Sequence, residues 1–299
     1  MKRTLLILTL CSLTIGCSKF KDGTINYVDF PGHDPRVAAT LIFSDEADSL
    51  VAFITNSASV TDLNGPQTIE GTIISLKDEN GNLIYEVDPS HLRDSLYIMD
   101  LVGQQEIPEG EIYLEVYTNL EPVVTAQTRM PPKSEIVGDF YLGYDTAMFW
   151  GFEYIRDRYE ISIDHDPTIE ENYMVYLDYK FEIKPGVASD WRTVWVEDEL
   201  DTRMTPIWSQ DGILIKDETV AADPNGLHNI VFYTENRDKR NVVARRIRVE
   251  SISSELESYY MSLEEFENQN LFAEPDLIYS NVSTGFGCFG MYSYQEIRF

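Results

Sequence analysis

Cysteine, histidine and positive charge are all scarce in this chain. The three cysteines are Cys11, Cys17 and Cys288, and the first two fall in an N-terminal stretch with the character of a leader. Cys288 then stands alone, so no intrachain disulfide can form in the mature protein and stability must come from packing. His33, His91, His165 and His228 are too dispersed to join a cysteine in a structural zinc site. Lysine and arginine total 23 against 51 aspartates and glutamates, a net charge of −28. Such a surface repels phosphate backbones, which argues against nucleic acid as a partner. It repels anionic headgroups too. No H-E-x-x-H and no G-x-S-x-G occurs. With 51 acids, some pair of carboxylates always meets the spacing rule for glycoside hydrolysis, so that criterion carries no information.

What is present begins at the N-terminus. Lys2 and Arg3 precede an apolar run from Thr4 to Ile15, and Gly16-Cys17 closes it. Twelve residues are too few for a membrane-spanning helix, which needs about 20. They fit the hydrophobic segment of a cleaved signal peptide. The Thr14-Ile15-Gly16-Cys17 end resembles a bacterial lipobox, although Thr14 stands where an apolar residue is usual. Residues 1–16 are therefore expected to leave, and Cys17 to become the lipid anchor of a mature protein of about 280 residues. Loss of Lys2 and Arg3 takes the net charge to −30. The acyl chains of Cys17 are then the route to a membrane. Residues 17–35 read as a polar, Gly- and Pro-containing tether.

From Arg36 the pattern has period two, the signature of strands. Strands are expected at Arg36–Phe43, Leu50–Ser57, Thr72–Lys77, Asn82–Val87, Glu111–Thr118 and Val123–Thr128. Asp78-Glu79-Asn80-Gly81 suits a hairpin between the third and fourth. This spacing predicts an immunoglobulin-like sandwich over 36–132. Met130-Pro131-Pro132-Lys133 breaks the pattern and marks a domain boundary, because two prolines remove two ladder donors. A second antiparallel β domain is expected over 133–299, with Asn172–Lys184 its clearest strand. Ser254-Glu255-Leu256-Glu257 opens one helix over about 254–267. Beyond Gln269 the chain turns irregular again. The fold class is all-β.

The candidate sites are few. Asp164-His165-Asp166 with Glu170 and Glu171 could offer oxygen ligands to calcium, but Asp-Pro before a strand is ordinary turn chemistry and the loop spacing is wrong. Gly285-Phe286-Gly287-Cys288-Phe289-Gly290 matches G-x-G-x-x-G by letter. Only nine residues follow Gly290, too few for the helix and return strand of a dinucleotide site. No cofactor and no metal is expected. Arg237, Lys239, Arg240, Arg245, Arg246 and Arg248 place six of the 23 basic residues within twelve positions. They read either as a contact surface for a partner or as charges that offset nearby carboxylates. Alternation puts Arg246 and Arg248 on the exposed face and Arg245 near the core edge. Phe140, Tyr141, Tyr144, Phe149, Trp150, Phe152, Tyr154 and Tyr159 crowd twenty positions, as core or as a stacking platform.

The C-terminal stretch carries Ile252-Ser253-Ser254-Glu255, Tyr259-Tyr260, Phe272-Ala273-Glu274-Pro275, Tyr279-Ser280-Asn281-Val282 and the glycine block Gly285–Gly290. It resembles a Bacteroidota lipoprotein family, catalogued as a domain of unknown function, that ends in a "faEP…ysNi.gGlGiFg" block. Thr284 departs from the first of the paired glycines, and Cys288 from an aliphatic position. The resemblance implies an outer-membrane lipoprotein encoded beside TonB-dependent receptors, hence an accessory protein of nutrient uptake, and it offers no catalytic residues. A surface adhesin or scaffold and a hydrolase without a recognisable motif are the alternatives. The periplasmic and cell-surface faces both stay open.

Overall fold

The computed structural model describes residues 33–59, 62–103, 107–108, 110–120, 122–137, 141–149, 152–164, 166, 168–198, 204–216, 227–235, 242–268 and 277–299. The leader and Cys17 lie outside them, as do Arg237, Lys239 and Arg240.

Strands β1 (Val37–Ser44), β2 (Ser49–Asn56), β3 (Ile73–Lys77) and β4 (Leu83–Val87) come first. The β3–β4 hairpin closes where expected, because the Asp78 carboxylate accepts the N–H groups of Asn80 and Asn82 at 2.9 and 2.8 Å. Next come β5 (Leu92–Arg93), β6 (Leu96–Asp100), β7 (Gly110–Tyr117) and β8 (Val124–Met130). Beyond Pro131-Pro132 lie β9 (Ile136–Val137), β10 (Tyr141–Phe149), β11 (Phe152–Ile163) and β12 (Asn172–Lys184). Short strands β13 (Val187–Ala188), β14 (Arg192–Val194), β15 (Glu197–Asp198) and β16 (Met204–Ile207) follow. The series continues through β17 (Gly212–Ile215), β18 (Leu227–Glu235) and β19 (Val242–Ile252) to helix α1 (Ser254–Glu267) and β20 (Phe289–Arg298). The Ser253 hydroxyl caps α1 by accepting the Leu256 N–H at 3.3 Å, and Glu255 and Glu257 complement the helix dipole. No helix among the described residues is long and apolar enough to cross a membrane.

The architecture is an all-β sandwich built on one large sheet. This first sheet runs β16-β17-β12-β19-β20-β1-β2-β6-β5, with β13 and β14 paired to β12. A second sheet (β4-β3-β7-β8) packs on its one end around Leu41, Phe43, Leu76, Leu114 and Tyr97. A third (β10-β11-β18-β15) packs on the other end around Tyr159, Ile161, Val175, Leu177 and Ile247. Leu256 and Tyr260 of α1 cover the opposite face of β12 through Met174 and Tyr176. The Pro131-Pro132 break thus falls between two cores, yet both cores share one sheet, and residues 35–299 form one compact unit.

The element that joins them is β20. It pairs antiparallel with β19 and parallel with β1, where Leu41 faces Phe289 and Ser44 faces Tyr292. Phe289 and Met291 reach the first core and Ile297 the second. The expected irregular ending holds over the described residues 277–288 and is corrected beyond them, where Phe289–Arg298 form a central strand. The glycine block explains why it reads otherwise. A Cβ on Gly287 would lie 2.0 Å from the Ala39 carbonyl oxygen, and its φ is +116°. Glycine is what lets the chain close on β1. Asn281 then clamps the strand, its Oδ1 accepting the Phe289 N–H at 2.9 Å and its Nδ2 donating to the Phe289 carbonyl at 2.8 Å. Cys288 is fully buried, and burial, with Glu255 nearby, pushes its thiol up to about 12. It is inert packing.

Thr284 sits at φ +59°, a conformation that strains a β-branched side chain. Thr284→Gly is expected to raise unfolding stability by about 1 kcal/mol, since the left-handed conformation costs an L-residue about 1–2 kcal/mol. Gly287→Ala should lower it by several times that amount. Urea denaturation of both variants checks the opposed signs.

Candidate functional site

Of the basic cluster, Arg245, Arg246 and Arg248 lie on β19, and the two faces of that strand do different things. Arg246, Arg248 and Glu250 share the face away from the third sheet. Their cross-strand neighbours on β12 are Asp178, Tyr176 and Met174, and on β20 they are Arg298, Glu296 and Tyr294. This register interleaves the charges. Arg246 donates to Asp178 and to Glu296, each at 2.7 Å. Arg248 pairs with Glu250 and lies 3.7 Å from Asp178, and Arg298 pairs with Glu296. The result is an unbroken ladder, Glu250–Arg248–Asp178–Arg246–Glu296–Arg298, in which every acid meets a base. Aromatic rings cover it: Arg246 lies 4.7 Å from the Trp191 ring centroid and Arg248 4.3 Å from that of Tyr176.

Arg246 and Arg248 keep only 17% and 24% of their side-chain exposure. Their expected exposure is corrected on this point, because Asp178, itself buried, draws both guanidiniums onto the sheet. In this part of the zone the guanidiniums are matched by the chain's own carboxylates, which is the offsetting-charge alternative. The acids were the missed partners. The alternation of Tyr176-Leu177-Asp178 was legible, but its register against Arg246-Ile247-Arg248 was not.

The inner face of β19 carries Arg245. Its guanidinium lies 3.6 Å from Asp157, which is fully buried, and 4.8 Å from the Tyr141 ring centroid. Tyr179 and Tyr141 donate to the same carboxylate at 3.0 and 3.3 Å, and the Tyr159 and Tyr179 hydroxyls meet at 2.6 Å. Burial holds both of those phenols well above the usual range, so they stay neutral. Asp157 and Arg245 thus plug the end of the second core. Of the aromatic-rich segment, Tyr159 is core, whereas Tyr144 and Met148 on the edge strand β10 are each 68% exposed. Phe140 and Trp150, and the side chains of Phe149, Phe152 and Tyr154, lie outside the described residues.

The other sequence candidates disperse. Asp166 accepts the Thr168 N–H and hydroxyl in a local turn, while Glu171 turns inward to Tyr173 and Ser134. His165 lies outside the described residues, and among those described no group of three metal-ligating side chains is assembled. The glycine block touches β1 and α1, with Gly290 against Leu256.

Glu250 closes one end of the ladder. Burial raises its carboxyl from an ordinary 4.5 to about 7, outweighing the pull of Arg248 and a Tyr176 hydrogen bond, while Asp178 adds to the rise. Between those two values the folded protein holds a proton that the unfolded chain has released. Stability therefore falls as pH rises from about 4.5 to 7 and levels off above. Glu250→Gln should flatten that slope, measured as urea midpoints across the interval. An unchanged slope would place the titration elsewhere.

The chain belongs to the DUF4249 family, a domain of unknown function, whose family model matches residues 40–298. No curated protein matches it. Among solved structures it is similar to E. coli α2-macroglobulin at 10% identity, covering 76% of this chain and 14% of that one, with a TM-score of 0.24. The FN1–FN3 domains of chicken CNTN1 match at 11% identity, 74% and 63% coverage and a TM-score of 0.24. The major pilin SpaD of Corynebacterium diphtheriae matches at 11%, 76% and 62%, with 0.22. This chain spans less than two thirds of each of them, and likenesses at that level inform neither fold nor function.

Proposed function

We propose that this DUF4249 protein is a lipid-anchored accessory binding protein of a TonB-dependent outer-membrane uptake system. One observation carries the reading: a basic start, a twelve-residue apolar run and Gly16-Cys17, followed by a polar spacer before β1 begins at Val37. Residues 18–35 can reach about 60 Å when extended, enough to hold the body clear of the bilayer. The acidic surface is repelled by anionic headgroups, so the acyl chains on Cys17, and not the protein surface, supply the attachment. The resemblance to Bacteroidota lipoproteins encoded beside TonB-dependent receptors supports the uptake role.

With Arg246 and Arg248 engaged by internal carboxylates, docking on an acidic receptor surface falls to Arg237, Lys239 and Arg240. Such a contact weakens with salt.

Cys17→Ser should move the protein from the membrane pellet to the soluble fraction and abolish its acylation shift. A variant still pelleting with unchanged mobility overturns the anchor. Reversal of Arg237, Lys239 and Arg240 to Glu should abolish co-purification with a receptor from detergent-solubilised membranes while leaving the circular-dichroism spectrum β-rich. Co-purification that survives at physiological salt removes these three residues from the docking role.

A further inference from the structure

A groove of about 620 Å³ opens where the outer face of the second sheet meets the chain leading into β20. Leu114 and Ala126 point into the core, so their neighbours on β7 and β8 point out. Those neighbours form two cross-strand pairs, Tyr113 facing Gln127 and Glu115 facing Thr125. They make the floor. Tyr279, Asn281 and Ser283 make a wall, and Glu255 from the first turn of α1 joins them.

The wall is fixed before any ligand arrives. Ser283 donates its N–H to the Thr125 carbonyl at 2.8 Å and accepts the Thr125 N–H on its hydroxyl at 3.0 Å. Asn281 donates to the Gln127 carbonyl at 3.2 Å while clamping Phe289. Thr128 donates to Glu255 at 2.9 Å. A preformed site binds without the cost of ordering it first, and this volume lies within the roughly 300–1,000 Å³ usual for small-ligand sites.

The chemistry left over selects the ligand. Lys77 and Tyr117 both donate to Oε2 of Glu115, and the Thr128 bond falls on Oε2 of Glu255. Oε1 of each carboxylate is therefore left to accept. The Gln127 amide adds both a donor and acceptor, and the half-exposed Tyr113 ring adds a flat apolar face. Among the described residues no basic side chain lines the groove, and Lys77 beside it is held by Glu115, so an anion finds no counter-charge there. The apolar lining is too interrupted by polar groups for an acyl chain.

We infer that this groove binds an uncharged polyhydroxylated ligand, a segment of neutral oligosaccharide. Sugar hydroxyls donate to the free carboxylate oxygens and exchange hydrogen bonds with Gln127, while a ring's C–H face lies on Tyr113. This names a ligand class for the binding role proposed above, but it rests on the groove alone and is independent of the anchor and of any receptor.

The test is a glycan array holding neutral and acidic glycans, probed with the Cys17→Ser protein and followed by calorimetry on whichever neutral glycan is retained. Tyr113→Ala and Gln127→Ala are each expected to weaken that binding by about tenfold, equivalent to about 1.4 kcal/mol. Both replace exposed side chains, and unchanged thermal midpoints establish that the variants are folded. Retention of no neutral glycan overturns the inference, as does retention of acidic glycans only. Binding unaffected by either substitution overturns it too. None of these outcomes touches fractionation or co-purification, so failure here is distinguishable from failure of the uptake reading.

Discussion

The parallel pairing of β20 with β1 is the constraint on which the rest depends. Without it, the large sheet divides into one piece ending at β1 and another ending at β20, each beside its own core. With it, a strand of ten residues contributes Phe289 and Met291 to one core and Ile297 to the other. Backbone sterics make this pairing selective. At Gly287 there is no room for a Cβ, and at Gly285 a Cβ would lie 2.4 Å from the Val37 carbonyl oxygen. Asn281 fixes the register by binding both the N–H and the carbonyl of Phe289. With Cys288, the one described cysteine, unpaired, the two cores are held in one body by hydrogen bonds and close packing.

The charge ladder answers a second constraint, set by composition. A chain carrying a net charge of −28 is destabilised by self-repulsion, and its scarce arginines matter most where carboxylates are buried. Asp178 is 1% exposed and meets two guanidiniums; Glu250 is almost as buried and meets one. Isolated, either carboxylate would carry a desolvation cost of several kcal/mol. Asp178 sits between Arg246 and Arg248, whereas Glu250 lies at the end of the ladder among Tyr176, Tyr260 and Tyr292. At Glu250, with one cation against that wall of rings, burial prevails and the proton is held more tightly than by an ordinary glutamate.

Strand periodicity made much of this legible in advance. Asn172–Lys184 and the helix over 254–267 are found where the sequence places them, because both have strong local signals: unbroken alternation in one, a capping serine in the other. Several strands were not legible, β20 and β10 among them. In β20 the outward positions are Tyr292 and Tyr294 and an inward one is Ser293, so polarity does not alternate, and the glycines before it look like a loop. In β10 the apolar side chains of Tyr141, Leu142, Tyr144 and Met148 are exposed, as befits an edge, and in sequence they resemble core. Arg246 and Arg248 were correctly placed on one face, but their partners come from β12 and β20, and pairing across strands so distant in sequence leaves no local trace. The groove was illegible for the same reason. Its floor and wall come from positions 113–127 and 279–283.

That separation also orders how the molecule can form. Leu41 and Phe289 must meet before the large sheet is continuous, and contacts so distant in sequence close late because their loop entropy precedes any gain. The hairpins β3–β4 and β10–β11, with short connections, can form early. Until β20 arrives, β1 and β19 each present an open edge, an aggregation hazard if long-lived. β20 follows the other strands of the large sheet in the chain, so that sheet cannot be completed before β20 has been made. The same event sets Asn281 and Ser283 against β8, which means the groove wall exists only in the completed fold. Binding competence at that site is thereby tied to closure of the sheet.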